Sequence, residues 1–266
     1  MRDVEDGLSA SPRSIPPVYF YDQEGSALFD KITELPEYYV TRTELELLGT
    51  TSGELSLRAG AGAVVIEPGS GSSVKIRTLL DALGDASGYV GLDISRDHLV
   101  AACEELARDY PNVMIGAVCA NFTTGLQLDH LPLPEGRRLI FFPGSTIGNF
   151  EPVDARAVLA GFRSGMRKGD AVLIGADRVK DEKILVEAYD DAAGVTAAFN
   201  LNLLKRIKTE LGARLNAEDF SHKSIWNPEL QRIEMHLVAT RRTEIELNGK
   251  THVFEAGETL HTENSH

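Results

Sequence analysis

Cysteine is scarce in this chain: only Cys103 and Cys119 occur, at no spacing that would pair them on a metal ion or in a disulfide framework. A reducing compartment is therefore expected, without a zinc ligand set or a stapled secreted scaffold. Long apolar runs are missing as well. None approaches the roughly 20 residues that cross a bilayer, and the opening MRDVEDGLSASPRS lacks the apolar segment of a signal peptide. The expected location is the cytoplasm, away from any membrane. Basic residues are outnumbered, 27 Lys and Arg against 40 Asp and Glu, for a formal net charge of -13. That balance opposes a nucleic-acid partner, because such binding depends on clustered cations that release counterions. What the chain does have is apolar sequence sufficient for a full core, 42% of 266 residues, as in an ordinary globular protein of one domain or two closely joined ones.

The N-terminal stretch SIPPVYFYDQEGSALFDKITELPEYYVTRTELELL has helical spacing at Leu28, Ile32 and Leu35. A second helix is expected from about Thr41, with Thr43 and Glu46 as a capping-box pair. From Ala63 the pattern alternates. Strands are expected at 63–69, 89–95, 113–122, 137–145 and 170–177, and helices at 73–83, 97–110 and 153–166. Alternation at these lengths predicts a parallel sheet with helices on both faces, and ligands of such sheets bind at the carboxyl ends of the strands. Beyond residue 178 come two helical stretches and then strand-like alternation. Ile233, Met235 and Leu237 against Glu234, His236 and Val238, followed by Thr243, Ile245 and Leu247, predict a half-solvated antiparallel hairpin. This region, with the N-terminal segment, is expected to cap the sheet.

The first strand runs into EPGSGSS, where Gly69, Ser70 and Gly71 turn the chain and the missing side chains let a ligand lie against the backbone. The helix that follows could aim its first amides at that ligand. A dinucleotide fingerprint needs a third glycine where Val74 stands, so a mononucleoside is the better fit. Asp93, closing the next strand, can accept from both ribose hydroxyls, and Asn121 with Phe122, closing the third, can read an adenine edge and cover its face. An adenosine carried without a pyrophosphate is S-adenosylmethionine (SAM). Taken singly, the glycines make an ordinary turn, Asp93 a helix cap and Asn121 a turn residue.

The strings YFYDQEGSALFDKITELPEYYVTRTELELL, PGSTIGNF, AYDDAAGVTAAFNLNLLKRI, RIEMHL and GETLHTENS resemble the L-histidine Nα-methyltransferases of ergothioneine biosynthesis, over a span from about Ser14 to the last residue. The resemblance implies an α/β fold: a Rossmann-like SAM-dependent methyltransferase sheet in residues 44–179, with a second, smaller α+β substrate-binding domain from residues 1–43 plus 180–266. It also implies closing strands that family members carry beyond the point where this sequence stops. The implied cofactor pocket falls on Gly69, Ser70, Gly71, Lys75, Asp93, Asn121 and Phe122. Asn121 stands where the family often has Asp and keeps an oxygen to accept from adenine N6, while Pro68 stands where leucine is frequent. For L-histidine, the resemblance makes Asn149 and Tyr189 carboxylate anchors and sets Gly144 and Thr146 near the amine. It brings Tyr21 and Tyr38 in from the N-terminal segment and lines the imidazole end with Met235, Glu263 and Ser265. The bland alternatives are a satisfied buried Tyr or Asn, a core Met235, a solvated Glu263 and an exposed Lys75.

The implied reaction is SAM-dependent methylation of the α-amino group up to the trimethylated betaine hercynine, with neither a covalent nucleophile nor a metal, by a monomer. Two other readings stay open: an N-methyltransferase of the same build for another amino acid or amine, and a non-catalytic SAM-binding protein.

Overall fold

The structure is a computed structural model that describes residues 2–71, 74–126 and 128–266. The expected start of the helix at Ser73 lies outside the described residues. Contacts divide the chain into two units, one formed by the N-terminal segment up to Tyr39 together with Arg178–His266, the other by Val40–Asp177.

The second unit opens with helices α3 (Tyr39–Thr50) and α4 (Ser52–Ala59), after α1 (Arg2–Ser9) and α2 (Gln23–Glu34) of the first unit. Then β1 (Val64–Pro68), α5 (Val74–Leu83), β2 (Gly88–Asp93), α6 (Arg96–Asp109), β3 (Met114–Cys119), β4 (Arg138–Phe142), α7 (Pro152–Ser164) and β5 (Ala171–Ile174) alternate as predicted. All five strands are parallel, in the order β3-β2-β1-β4-β5. The inner strands β1 and β4 are buried at every position, whereas the edge strands β3 and β5 are half-exposed, which matches their places in the order. Alternate residues feed two cores, because successive strand side chains point to opposite faces. Val65, Tyr89, Leu139 and Phe141 pack with Leu79 of α5 and Leu99 of α6. Ile66, Val90, Ile140 and Phe142 pack on the other face with Val158 and Phe162 of α7. Truncating a fully buried aromatic such as Phe141 removes about 3–5 kcal/mol.

Thr43 and Glu46 do not form a capping box. Helix α3 already begins at Tyr39, just beyond the break that Pro36 imposes, so both residues lie inside it.

The first unit continues with α8 (Glu182–Ala188), α9 (Val195–Leu211), β6 (Phe220–Asn227), β7 (Arg232–Ala239), β8 (Thr243–Leu247), β9 (Lys250–Phe254) and β10 (Thr259–Ser265). Here the predicted hairpin is corrected. β7 does not pair with β8; it is the middle strand of the antiparallel sheet β10-β7-β6, and β8 pairs with β9. The strand missing from the sequence reading is β6, whose phase sets His222 and Ser224 between Phe220 and Trp226 and so hides the apolar alternation. As a central strand, β7 has its second face half-buried, through Glu234, His236 and Val238, instead of fully solvated. Among the described residues, no helix is long and apolar enough to cross a membrane.

Candidate functional site

In the Val40–Asp177 unit the chemistry gathers at the carboxyl ends of β1, β2 and β4. Gly69 has φ +71°, and the amides of Gly69 and Ser70 both donate to Leu92 O, at 2.7 and 3.2 Å. The turn is thus tied to the residue before Asp93. A Cβ on Gly69 would lie 3.4 Å from the Phe122 ring, so Phe122 closes over this glycine. Beside Gly71 a Cβ would meet nothing within 4 Å among the described residues, which leaves open backbone of the sort a ligand needs. Phe122 is held in turn by the rings of Phe142, Phe150 and Phe162, at 5.5 to 6.4 Å. Asp93 accepts from the Ser95 amide at 2.8 Å, which orients the carboxylate and leaves it further lone pairs for hydroxyl donors. These features fit an adenosine-bearing cofactor: a side-chain-free turn, an aromatic face and an oriented acid.

Two of the expected cofactor residues have partners within this unit. The Asn121 oxygen accepts from the Thr123 amide at 3.0 Å and from Thr123 Oγ1 at 2.7 Å, capping the 3-10 turn Phe122–Thr124. Both lone pairs of the carbonyl are spent, so the NH2 is the end of the Asn121 side chain left for a ligand. Lys75 is not an exposed cation. Its Nζ lies 2.7 Å from Glu44 Oε2, with both side chains largely buried.

Glu67, in β1, is 2% exposed and accepts from Tyr89 Oη at 2.8 Å. Burial pushes its carboxyl up to about 8, against the Tyr89 hydrogen bond and the Lys75 charge, which pull it down. Gly91 makes the room: a Cβ there would lie 2.7 Å from Ser70 Oγ and 2.9 Å from Tyr89 Oη. The signal for Glu67 was present in the sequence as one acid in an otherwise apolar strand. Glu44 had none, being one acid among several on a helix.

Gly144 has φ +78° and starts the turn that leads through Ser145, at φ +55°, into the short helix Thr146–Asn149. Thr146 Oγ1 donates to Pro143 O at 2.8 Å, and Asn149 ends that helix.

The other predicted residues fall in the first unit. The strand register puts Ser224, Met235 and Glu263 in one row across β6, β7 and β10, and Ser265 two residues further on the same face. This is the face on α9. Asn200 of α9 donates from Nδ2 to His222 Nδ1 at 2.8 Å, and His222 Nε2 donates to Tyr189 O at 2.8 Å. A carbonyl only accepts, so the proton of His222 sits on Nε2, and burial keeps the ring neutral. Tyr189 is thus fixed by its carbonyl, and its hydroxyl shares a hydrogen bond with Ser265 Oγ. Tyr189 and Ser265, expected at opposite ends of a substrate, are neighbours here. The Tyr38 ring meets Tyr189 edge-on at 5.9 Å, and Tyr21 packs edge-on against Phe29 and Phe199.

A β-bulge decides where Glu263 points. The register slips between His261 and Glu263, and Thr262 donates from Oγ1 to Met235 O. Without the extra residue Thr262 would oppose Met235 and Glu263 would face the other side, with His236 and His261. As it stands Glu263 is 8% exposed, and burial raises its carboxyl to about 8. Ser224 Oγ in the same row is buried with no hydrogen-bond partner among the described residues. Ser224, His222 and Asn200 were not anticipated.

Comparison with known proteins gives the family. The family described as "Histidine-specific methyltransferase, SAM-dependent" matches residues 1–266. A histidine N-alpha-methyltransferase of Mycolicibacterium smegmatis is 47% identical over 242 residues, 90% of this chain and 74% of that one. Its namesake in Mycobacterium tuberculosis is 45% identical, covering 98% and 82%. Ergothioneine biosynthesis protein 1 of Neurospora crassa is 35% identical over 76% of this chain and 23% of its own length.

Proposed function

We propose a reaction and a division of labour for a chain that belongs to the SAM-dependent, histidine-specific methyltransferase family. The protein is an N-methyltransferase that uses SAM to methylate the α-amino group of L-histidine, through to the trimethylated betaine hercynine, in ergothioneine synthesis. In this reading it works as a cytoplasmic monomer. Val40–Asp177 is the SAM-binding domain and the first unit the substrate-binding domain.

Gly69, Ser70 and Gly71 would cradle SAM through the backbone, Asp93 would hold its ribose hydroxyls, and Asn121 with Phe122 its adenine. When bound there, SAM supplies an electrophilic methyl group whose leaving group is a neutral thioether. No residue of the chain has to serve as a covalent nucleophile or metal ligand. The protein's tasks are to keep the amine uncharged and to aim it, since a peptide α-amino group has a pKa of about 7.7–8.0 and is partly protonated at neutral pH. Gly144 and Thr146 are read as neighbours of that amine and Asn149 as a carboxylate donor. Tyr189, pinned by His222, is the other donor. Tyr21 and Tyr38 form an aromatic wall that favours a growing quaternary ammonium by about 1 kcal/mol through cation–π attraction.

The observation that carries the choice of histidine is Glu263, a buried carboxyl brought by a bulge into one row with Met235. Carrying its proton, it donates to an unprotonated ring nitrogen; ionised, it accepts from a ring N–H. Ser265 serves the second nitrogen. An indole or phenol could satisfy only one of the two groups, leaving a buried polar group unpaired.

The test is incubation with SAM and a panel of free amino acids, with product masses recorded. One, two and three methyl transfers to histidine, and none to tryptophan or tyrosine, are expected. Transfer to another amino acid with histidine inert would move the protein to the second reading, and no transfer with tight SAM binding to the third.

A further inference from the structure

Glu44 reaches from α3 to the turn after β4. Its Oε2 accepts from Lys75 Nζ at 2.7 Å, and the Gly144 amide donates to both carboxylate oxygens, at 2.8 and 3.0 Å. The space is cut for it: a Cβ on Gly175 would lie 1.8 Å from Glu44 Oε1 and 3.2 Å from Gly144 N. The side chains of Glu44 and Lys75 are 14% and 16% exposed. Withdrawing two charges from water costs several kcal/mol each, so such a pair is weak evidence for added stability and calls for another reason. The turn it holds supplies one. Gly144 at φ +78° and Ser145 at φ +55° are consecutive left-handed residues, a conformation a non-glycine residue adopts only when its surroundings impose it. Two ties do so, Glu44 on the Gly144 amide and the Asp177 amide on Ser145 Oγ at 2.9 Å.

We infer that Glu44 is a positioning residue for methyl transfer: with Lys75 as its counter-ion it locks the Gly144–Ser145 turn that sets the amine end of the substrate. The inference rests on the reading that puts Gly144 beside the substrate amine. The Lys75 ammonium would lie 3.0 Å from a Cβ on Gly144, close enough to press on the turn if its counter-charge were lost.

The experiment compares Glu44→Gln, Lys75→Met and the double variant with the parent. Glu44→Gln keeps an acceptor for the Gly144 amide but strands the ammonium, so kcat for histidine should fall ~10–100-fold, the scale of a small misplacement of reacting groups. SAM affinity should stay within about threefold, and partly methylated products should accumulate. The double variant, which removes both charges together, should recover much of kcat. Loss of SAM affinity in step with kcat would overturn the inference and make the pair part of the cofactor site. A lower melting temperature with kcat and KM intact below it would reduce the pair to a structural role and equally overturn it. Hydrogen exchange at the Gly144 amide gives a readout independent of substrate: it should accelerate in Glu44→Gln and slow again in the double variant. If the parent leaves histidine untouched, the functional reading fails, while exchange still decides whether Glu44 holds the turn.

Discussion

Each unit has a buried glutamate whose carboxyl is raised to about 8, by different means. Glu67 sits in an all-buried parallel strand, yet a tyrosine hydroxyl donates to it and a lysine charge lies close enough to stabilise its anion. Its surroundings are half prepared for the ionised form, and a cationic ligand would complete that preparation. Glu263 sits in an antiparallel sheet, and burial is the cause of its rise. A basic or hydrogen-bonding ligand facing it would lower the cost of ionising it. The difference teaches that two carboxyls can be raised to the same point, one with its anion partly provided for and the other governed by desolvation alone.

The largest effect expected from this contrast is functional. Glu263→Ala should lower kcat/KM for histidine by about 100–1000-fold, as the loss of a charged hydrogen bond in a dry pocket does, and leave SAM affinity unchanged. Calorimetry with SAM and steady-state kinetics with histidine separate the two quantities, and a parallel drop in SAM affinity would break the contrast. Next comes Asp93→Ala, which should weaken SAM binding about 10–100-fold, read by the same titration, since it removes charge-assisted acceptors from the ribose.

Stability against pH sharpens the comparison. For an acid whose folded pKa lies near 8 and whose unfolded value is the ordinary 4.5, the native state holds the extra proton between those values. Stability is therefore lost as pH rises from about 4.5 through 8. Glutamine does not titrate. Glu263→Gln and Glu67→Gln should thus stabilise the ligand-free protein relative to the parent by up to a few kcal/mol near pH 9 and by almost nothing near pH 4. With both carboxyls raised to about 8, the gain should be similar for the two. Thermal melts across that range check sign and size. The smallest effect belongs to Asn121→Ala. Its oxygen is committed to Thr123, so the variant should cost about 1 kcal/mol of local cap energy and, through the one NH2 contact proposed for adenine, only about 2–5-fold in SAM affinity. A tenfold loss would restore the oxygen to an adenine contact.

What the sequence determined by itself is the wound sheet and the end of it where the glycine turn and Asp93 gather. Strand and helix periods are local, and the runs from Val64 to Ile174 carry them plainly, so five strands, their helices and the Gly69 turn beside Asp93 were legible. The strings shared with histidine methyltransferases made the chemistry legible too, though they came with roles and without geometry. Only the tertiary structure decided the rest. Which strands neighbour β7 depends on pairings that local period does not encode, and β6 hid because its core-facing positions hold His222 and Ser224. One bulged residue turns Glu263 toward Met235, and no pattern of alternation announces it. The meeting of Glu44, Lys75, Gly144 and Gly175 joins points up to 131 residues apart in sequence, so nothing short of the folded chain could bring that carboxylate under the turn.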